Sequence, residues 1–207
     1  MGEVVLVRHA ATGWTGLRYC GRSDPPLTDA GAAAADELAA TLARGLPAGT
    51  RIATSPSLRA RATATAIAAL LPGAVVEIDP RWAEVDFGVA EGWTFDQLER
   101  AEPAIARRLL AGDLELDWPG GETAAGFATR VGSAWTDLRG IEAPIVVVSH
   151  AGPIRLAIAL ATGTAVRDVA VPAPATARTL RGRRSTGSTV SGGPDPGQIG
   201  ADATIPR

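Results

Sequence analysis

Two histidines are the only ones in the chain, and both stand where a strand should end. His9 closes "EVVLVRHAAT" and His150 closes "PIVVVSHAGP": each follows a short apolar, β-branched run and a polar residue, and precedes a small one. In open α/β sheets, ligands bind in the crevice beyond the carboxyl ends of the strands. If the two strands are neighbours, the imidazoles face one another across one pocket. A lone loop histidine is usually just solvated, but two of two in equivalent positions points to shared chemistry.

The residues around them suggest which chemistry. Arg8 precedes His9, and Arg59 lies in "SPSLRARAT", at the start of a helix that follows the second strand. Guanidinium groups and a helix N-terminus at one sheet edge make an anion site, with phosphate the natural occupant. Arg61, two residues on, points to another face of that helix. A neutral imidazole beside guanidiniums resists protonation, which leaves a nitrogen lone pair free to attack phosphorus. The leaving oxygen then needs a proton from a partly desolvated carboxylic acid. "DPRWAEVDFGVAEGW" offers Glu84, Asp86 and Glu91 on one loop; the residues by themselves do not rank the three.

The elements that must hold these groups alternate along the chain. Glu3–Val7 reads as a buried strand, and Thr28 as the N-cap of an alanine-rich helix to about Arg44. "RIATS" is a strand and "PSLRARATATAIAALL" a helix with Pro56 at its start. "AVVEI" is a third strand, and Thr94 with Gln97 forms a capping box that opens "TFDQLERA". "GETAAGFATRVGSAWTDLR" is an amphipathic helix, "PIVVVSH" a strand, and "GPIRLAIALATG" a helix ended by glycine. This order predicts a three-layer α/β/α fold around a mainly parallel sheet, with apolar strands buried on both faces. Residues 1–181 form the expected domain. From residue 182 the composition turns to Gly, Ser, Thr and Pro, which predicts a disordered tail over 182–207.

Composition excludes several functions. All 20 basic residues are arginine, so Schiff-base and P-loop lysine chemistry is unavailable. One cysteine, Cys20, excludes an internal disulfide and a CxxC zinc site. A net charge of -2 gives no electrostatic case for nucleic acid or an anionic membrane. No apolar run approaches the roughly 20 residues of a membrane span, and no leader pattern is present, so a cytoplasmic protein is expected. No cofactor or metal is expected: there is no HExxH-type spacing, and the arginines would repel a cation. A small-molecule phosphoester is the expected partner, and a homodimer through a sheet edge stays open.

Taken in order, "LVRHAAT", "GRSDPPLTDAG", "SPSLRARAT", "RWAEVDFGVAEGW", "WPGGET" and "VVSHAGPIR" resemble the histidine phosphatase superfamily, whose fold is phosphoglycerate-mutase-like. The resemblance implies that His9 is the phosphorylated nucleophile. It makes Arg8, Arg59 and His150 the clamp on the phosphoryl oxygens, with His150 protonated in the transition state. It selects Glu84, in the "E-x-D-F-G" position, as proton donor and later as base for water. Ala10 and Ala11 stand where the family usually has Gly-Glu, and Ala151 where glycine is common. Residues 85–149 alone separate the acid from the second histidine, shorter than the insertion carried by mutases, which favours a phosphatase. "RYCGRSDPPLT" with "WPGGET" most resembles α-ribazole-5'-phosphate phosphatases of cobalamin synthesis and short broad-range phosphatases. Trp14, Arg18, Tyr19, Arg22 and Trp93 are candidate leaving-group contacts, whereas Trp82, Trp118 and Trp135 read as core. Glu122 and Thr123 are candidates for helix capping or for ligand contact. The alternatives are a phosphoglycerate-mutase-type phosphotransferase and a phospholigand-binding module without catalysis.

Overall fold

A computed structural model describes residues 2–181; the expected tail lies outside them. Five strands, β1 (Glu3–Arg8), β2 (Arg51–Thr54), β3 (Val75–Ile78), β4 (Ile145–Ser149) and β5 (Ala177–Arg181), form one sheet in the order β3-β2-β4-β1-β5. β1 to β4 are parallel, and β5 pairs antiparallel with β1 at the edge. Six α-helices connect them: α1 (Asp29–Ala43), α2 (Leu58–Ala69), α3 (Phe95–Ala101), α4 (Pro103–Leu110), α5 (Ala124–Arg139) and α6 (Ala151–Thr162).

Strand order and the right-handed crossover rule decide the layers. The chain steps one way across the sheet from β1 to β2 to β3, which puts α1 and α2 on one face. It steps back from β3 to β4 to β5, which puts α5 and α6 on the other. The two cores follow this division. Val5, Val7, Ile52, Val146 and Val148 pack with Leu38, Ala60 and Ile67 of the first pair. Val4, Leu6, Ile145 and Val147 pack with Val131, Trp135, Ile154 and Ile158 of the second. Alternate residues of one strand thus feed opposite cores, as the twofold pleat requires. Each such side chain stabilises the fold by about 1.5–3 kcal/mol.

A third, smaller cluster of Ala90, Leu98, Ile105, Leu116 and Trp118 lies between β3 and α5 in the chain. It carries Tyr19, Phe87 and Trp93 on its flank. Trp82, Trp118 and Trp135 are buried, as expected.

Most predicted starts hold in detail. Thr28 Oγ1 accepts from the Gly31 N–H, and Thr94 with Gln97 makes the capping box. α2 starts two residues later than expected, at Leu58: Ser57 is its N-cap, and Pro56 stands outside it. The expectation that the apolar strands are buried on both faces holds for β1 and β4 but fails for β3. There Val75, Val76 and Ile78 are 51%, 39% and 55% exposed, because β3 is an edge strand. The sequence pattern does not anticipate α4 or β5. α4 follows α3 directly through Glu102, and β5, "ARTLR", has only Leu180 buried.

Candidate active site

The connection leaving β1 goes to one face of the sheet and that leaving β4 goes to the other, while the two strands are neighbours. A crevice opens at such a switch point. The register pairs Arg8 with Ser149, so His9 and His150 stand side by side one residue further on. Their ring centroids are 4.9 Å apart, and the His9 N–H is bonded to the Ser149 carbonyl at 2.9 Å.

Hydrogen bonds fix the state of each ring. His9 Nδ1 is 2.7 Å from the Ala10 carbonyl, which can only accept, so the proton is on Nδ1 and Nε2 keeps its lone pair. Burial, helped by Arg59 and Arg8 and opposed by the Ala10 bond, lowers the His9 pKa to about 4. His150 is 1% exposed. Arg59 Nη2 donates to its Nδ1 at 3.2 Å, leaving Nε2–H to donate to Ser55 Oγ at 2.7 Å. Burial and then the neighbouring His9 push its pKa well below the ordinary value. In this geometry His150 is neutral, with both nitrogens engaged by protein. The protonated state that the resemblance implies would cost it the Arg59 bond.

Arg59 is 1% exposed. Its guanidinium donates to the carbonyls of Cys20 (2.9 Å), Gly21 (3.2 Å) and Ser23 (2.8 Å). Arg8 Nη1 donates to the Pro172 carbonyl at 3.4 Å. Among the described residues, Arg8 Nε and Arg59 Nε are the buried side-chain polar atoms without a partner. Buried donors are almost always satisfied. Two orphans on two guanidiniums of one cavity mark a site made for an anion. Arg61 is exposed, as its helical phase predicts.

The three loop carboxylates, which the residues alone could not rank, have different surroundings here. Glu84 Oε1 accepts from the Val85 N–H at 3.0 Å and Oε2 from the Gly152 N–H of the first turn of α6 at 3.3 Å. Burial raises its pKa, against the pull of those bonds and of Arg59 and Arg8. A Cβ on Gly152 would collide with Glu84 Oε1, so that close approach requires glycine. Asp86 pairs with Arg22 at 3.3 Å on the surface, and Glu91 is turned into the 21–23 loop.

Arg8, His9, Trp14, Arg18, Tyr19, Arg59 and Glu84 line one cavity of about 140 Å³, together with Thr12, Cys20 and Phe87. His150 stands behind His9 and is not on that wall. Arg22 is bound to Asp86 away from it, and Trp93 packs on the small third cluster. Thr123 caps α5, accepting from the Gly126 N–H. Glu122 does neither thing anticipated for it: it forms a two-pronged ion pair with Arg130 at 2.6 and 2.7 Å. The other N–H groups of Arg130 hold the carbonyls of Arg81, Ala83 and Glu84. Sequence reasoning does not single out Arg130, Ser55 or Phe87. Their positions depend on partners far away in the chain, and only the in-order motifs around them carry a signal.

The switch point of this α/β sheet thus holds a neutral histidine, two part-satisfied arginines and a glutamate of raised pKa, an arrangement able to take an anion. Residues 4–186 match the histidine phosphatase superfamily (branch 1), and the chain belongs to that family. It is 32% identical over 158 residues to phosphoserine phosphatase 1 of Hydrogenobacter thermophilus, covering 75% of this chain and 74% of that one. It is 36% identical over 164 residues to a bifunctional protein of Mycobacterium tuberculosis, covering 77% of this chain. The chain spans only 44% of that relative's length. Among solved structures, a phosphoglycerate mutase from Thermus thermophilus superposes with a TM-score of 0.67 at 32% identity. The match covers 86% of this chain and 92% of that one, and the fold is phosphoglycerate-mutase-like.

Proposed function

We propose that this chain is a metal-independent phosphomonoesterase that works through a phosphohistidine at His9. The observation that carries the reading is the His9 ring, locked by its Nδ1–H on the Ala10 carbonyl with Nε2 unprotonated, beside the orphan N–H groups of Arg8 and Arg59.

Those guanidiniums take the phosphoryl oxygens. The Nε2 lone pair attacks phosphorus, the ester P–O bond breaks, and its electron pair leaves on the alcohol oxygen. Glu84, whose raised pKa keeps a proton available, protonates that oxygen. The Ala10 carbonyl faces the ring's developing positive charge. Glu84, now a carboxylate held by the Val85 and Gly152 N–H groups, then takes a proton from water. The resulting hydroxide attacks phosphorus, the P–N bond breaks, and its pair returns to Nε2. Ester and water become alcohol and phosphate. His150 supports the step by accepting from Arg59 and standing behind His9.

The leaving group would meet Trp14, Tyr19 and Phe87, a wall suited to an aromatic group. We therefore favour a small cytoplasmic phosphoester such as α-ribazole 5'-phosphate. Phosphate release from an aryl phosphate in EDTA, comparing wild type with His9→Ala, tests the reading. Turnover and an acid-labile phosphoenzyme are expected in wild type, and neither in the variant. Equal turnover in both proteins, or loss of wild-type turnover in EDTA, would overturn it. Transfer between positions of a phosphoglycerate that outpaces phosphate release would replace it with a mutase.

A further inference from the structure

Glu91 holds more hydrogen bonds than any one structural contact needs. Its carboxylate accepts from the backbone N–H groups of Gly21 (3.0 and 3.3 Å), Arg22 (2.8 Å) and Ser23 (3.2 Å). It also accepts from Ser23 Oγ at 2.8 Å and from the Phe87 N–H at 3.4 Å. Successive N–H groups converging on one anion form a nest.

The far side of the same peptides faces Arg59. The peptide joining Cys20 to Gly21 gives its N–H to Glu91 and its carbonyl to Arg59 Nη2. The peptide joining Gly21 to Arg22 does the same. Two peptide planes are thus sandwiched between a carboxylate and a buried guanidinium, each dipole pointing from one charge to the other. The direct acidic neighbour of Arg59, Asp24, is 3.7 Å away and 43% exposed, a weak alternative. Gly21 must be glycine here, since a Cβ would collide with the Val85 carbonyl and Glu91 Oε1.

We propose that Glu91 is a positioning residue for phosphate: through the two peptides it fixes and charge-balances Arg59, so that the free Nε–H of Arg59 meets the phosphoryl group. The proposal rests on the phosphatase reading above. Glu91 has no part in proton transfer, which separates it from Glu84.

The test is competitive inhibition by inorganic phosphate, together with KM and kcat for an aryl phosphate, in Glu91→Ala and Glu91→Gln. The glutamine variant keeps the shape, but it loses the charge and sets an amide NH₂ against N–H donors. It therefore carries the test if the alanine variant does not fold. Both variants are expected to raise the phosphate inhibition constant and KM together by about tenfold or more, with the alkaline limb of the pH profile unmoved. Direct phosphate binding in an Arg59→Ala background is the second arm, and there Glu91→Ala should change the affinity less than twofold.

An unchanged phosphate constant in the single variants would overturn the proposal, as would full additivity with Arg59→Ala. So would a fall in kcat with a shifted alkaline limb, which would make Glu91 an acid. A wild type that neither binds phosphate nor turns over would instead sink the phosphatase reading itself.

Discussion

Gly152→Ala separates catalysis from stability in one substitution. The position lies in the first turn of α6, where alanine is preferred over glycine by about 0.5–1 kcal/mol. The added methyl, however, lands on Glu84 Oε1. That atom is the far end of a side chain, so the clash is relieved by moving the carboxylate rather than the backbone. Ordinary contact needs a shift of about 1 Å, and a misplacement of that size costs on the order of 10²-fold in rate. The shift also strains the 3.3 Å bond from the Gly152 N–H, one of the two backbone donors on the acid. Thermal melts should therefore show equal or slightly raised stability. kcat should fall about 10²-fold, and more steeply for an alkyl phosphate than for an aryl phosphate, whose leaving group needs the proton less. A stable variant with kcat within about threefold of wild type would refute the placement of Glu84 as the proton donor.

Further outcomes follow from the same geometry. His9 must be unprotonated and Glu84 protonated, so kcat/KM should fall below the His9 pKa of about 4 and fall again as pH rises through the raised pKa of Glu84. In Glu84→Gln the alkaline limb should vanish along with most activity toward alkyl phosphates. Stability has its own sign: an unfolded His9 binds a proton from pH 6.5 downward, while the folded one resists until about 4. The folded state therefore loses stability as pH drops through that window, and His9→Asn should remove its share of the loss in urea titrations while the depressed His150 keeps its own. Arg130→Met leaves the part-buried Glu122 with only the Asp86 N–H at 3.5 Å and frees three carbonyls, so the urea midpoint should report a loss of about 1–3 kcal/mol. Adding Glu122→Leu should recover part of it.

The parts of the site that are readable from sequence are those set by local chain chemistry. The β-branched runs before His9 and His150 mark buried parallel strands, and the caps at Thr28 and Thr94 are decided within four residues. The helical phase separates Arg59 from Arg61. What is not readable depends on partners distant in the chain. Glu84, Asp86 and Glu91 are equivalent as letters on a loop; only α6, Arg22 and the 21–23 peptides make them different. Arg22 reads as a ligand contact because it sits in the right motif, but Asp86 draws it away. β5 is invisible because a charged antiparallel edge strand with one buried residue has no apolar rhythm, and α4 because Pro103 starts it with no intervening loop. The fold class and the family follow from the motif order, whereas the bonds that tie His150 to Arg59 and Ser55 join residues far apart in the chain and do not.

The position of β4 bears on how the protein is made. β1 and β2 come first from the ribosome, yet they are not neighbours: β4, nearly a hundred residues after β2 in the chain, fills the place between them. The early half of the chain therefore cannot close its own sheet, and its apolar strands must wait with open edges until residues 145–149 arrive. Such non-local pairing folds slowly and leaves nascent strands exposed to aggregation. The same insertion delivers His150 against His9, so a growing chain holds no assembled histidine pair until the sheet locks at its centre.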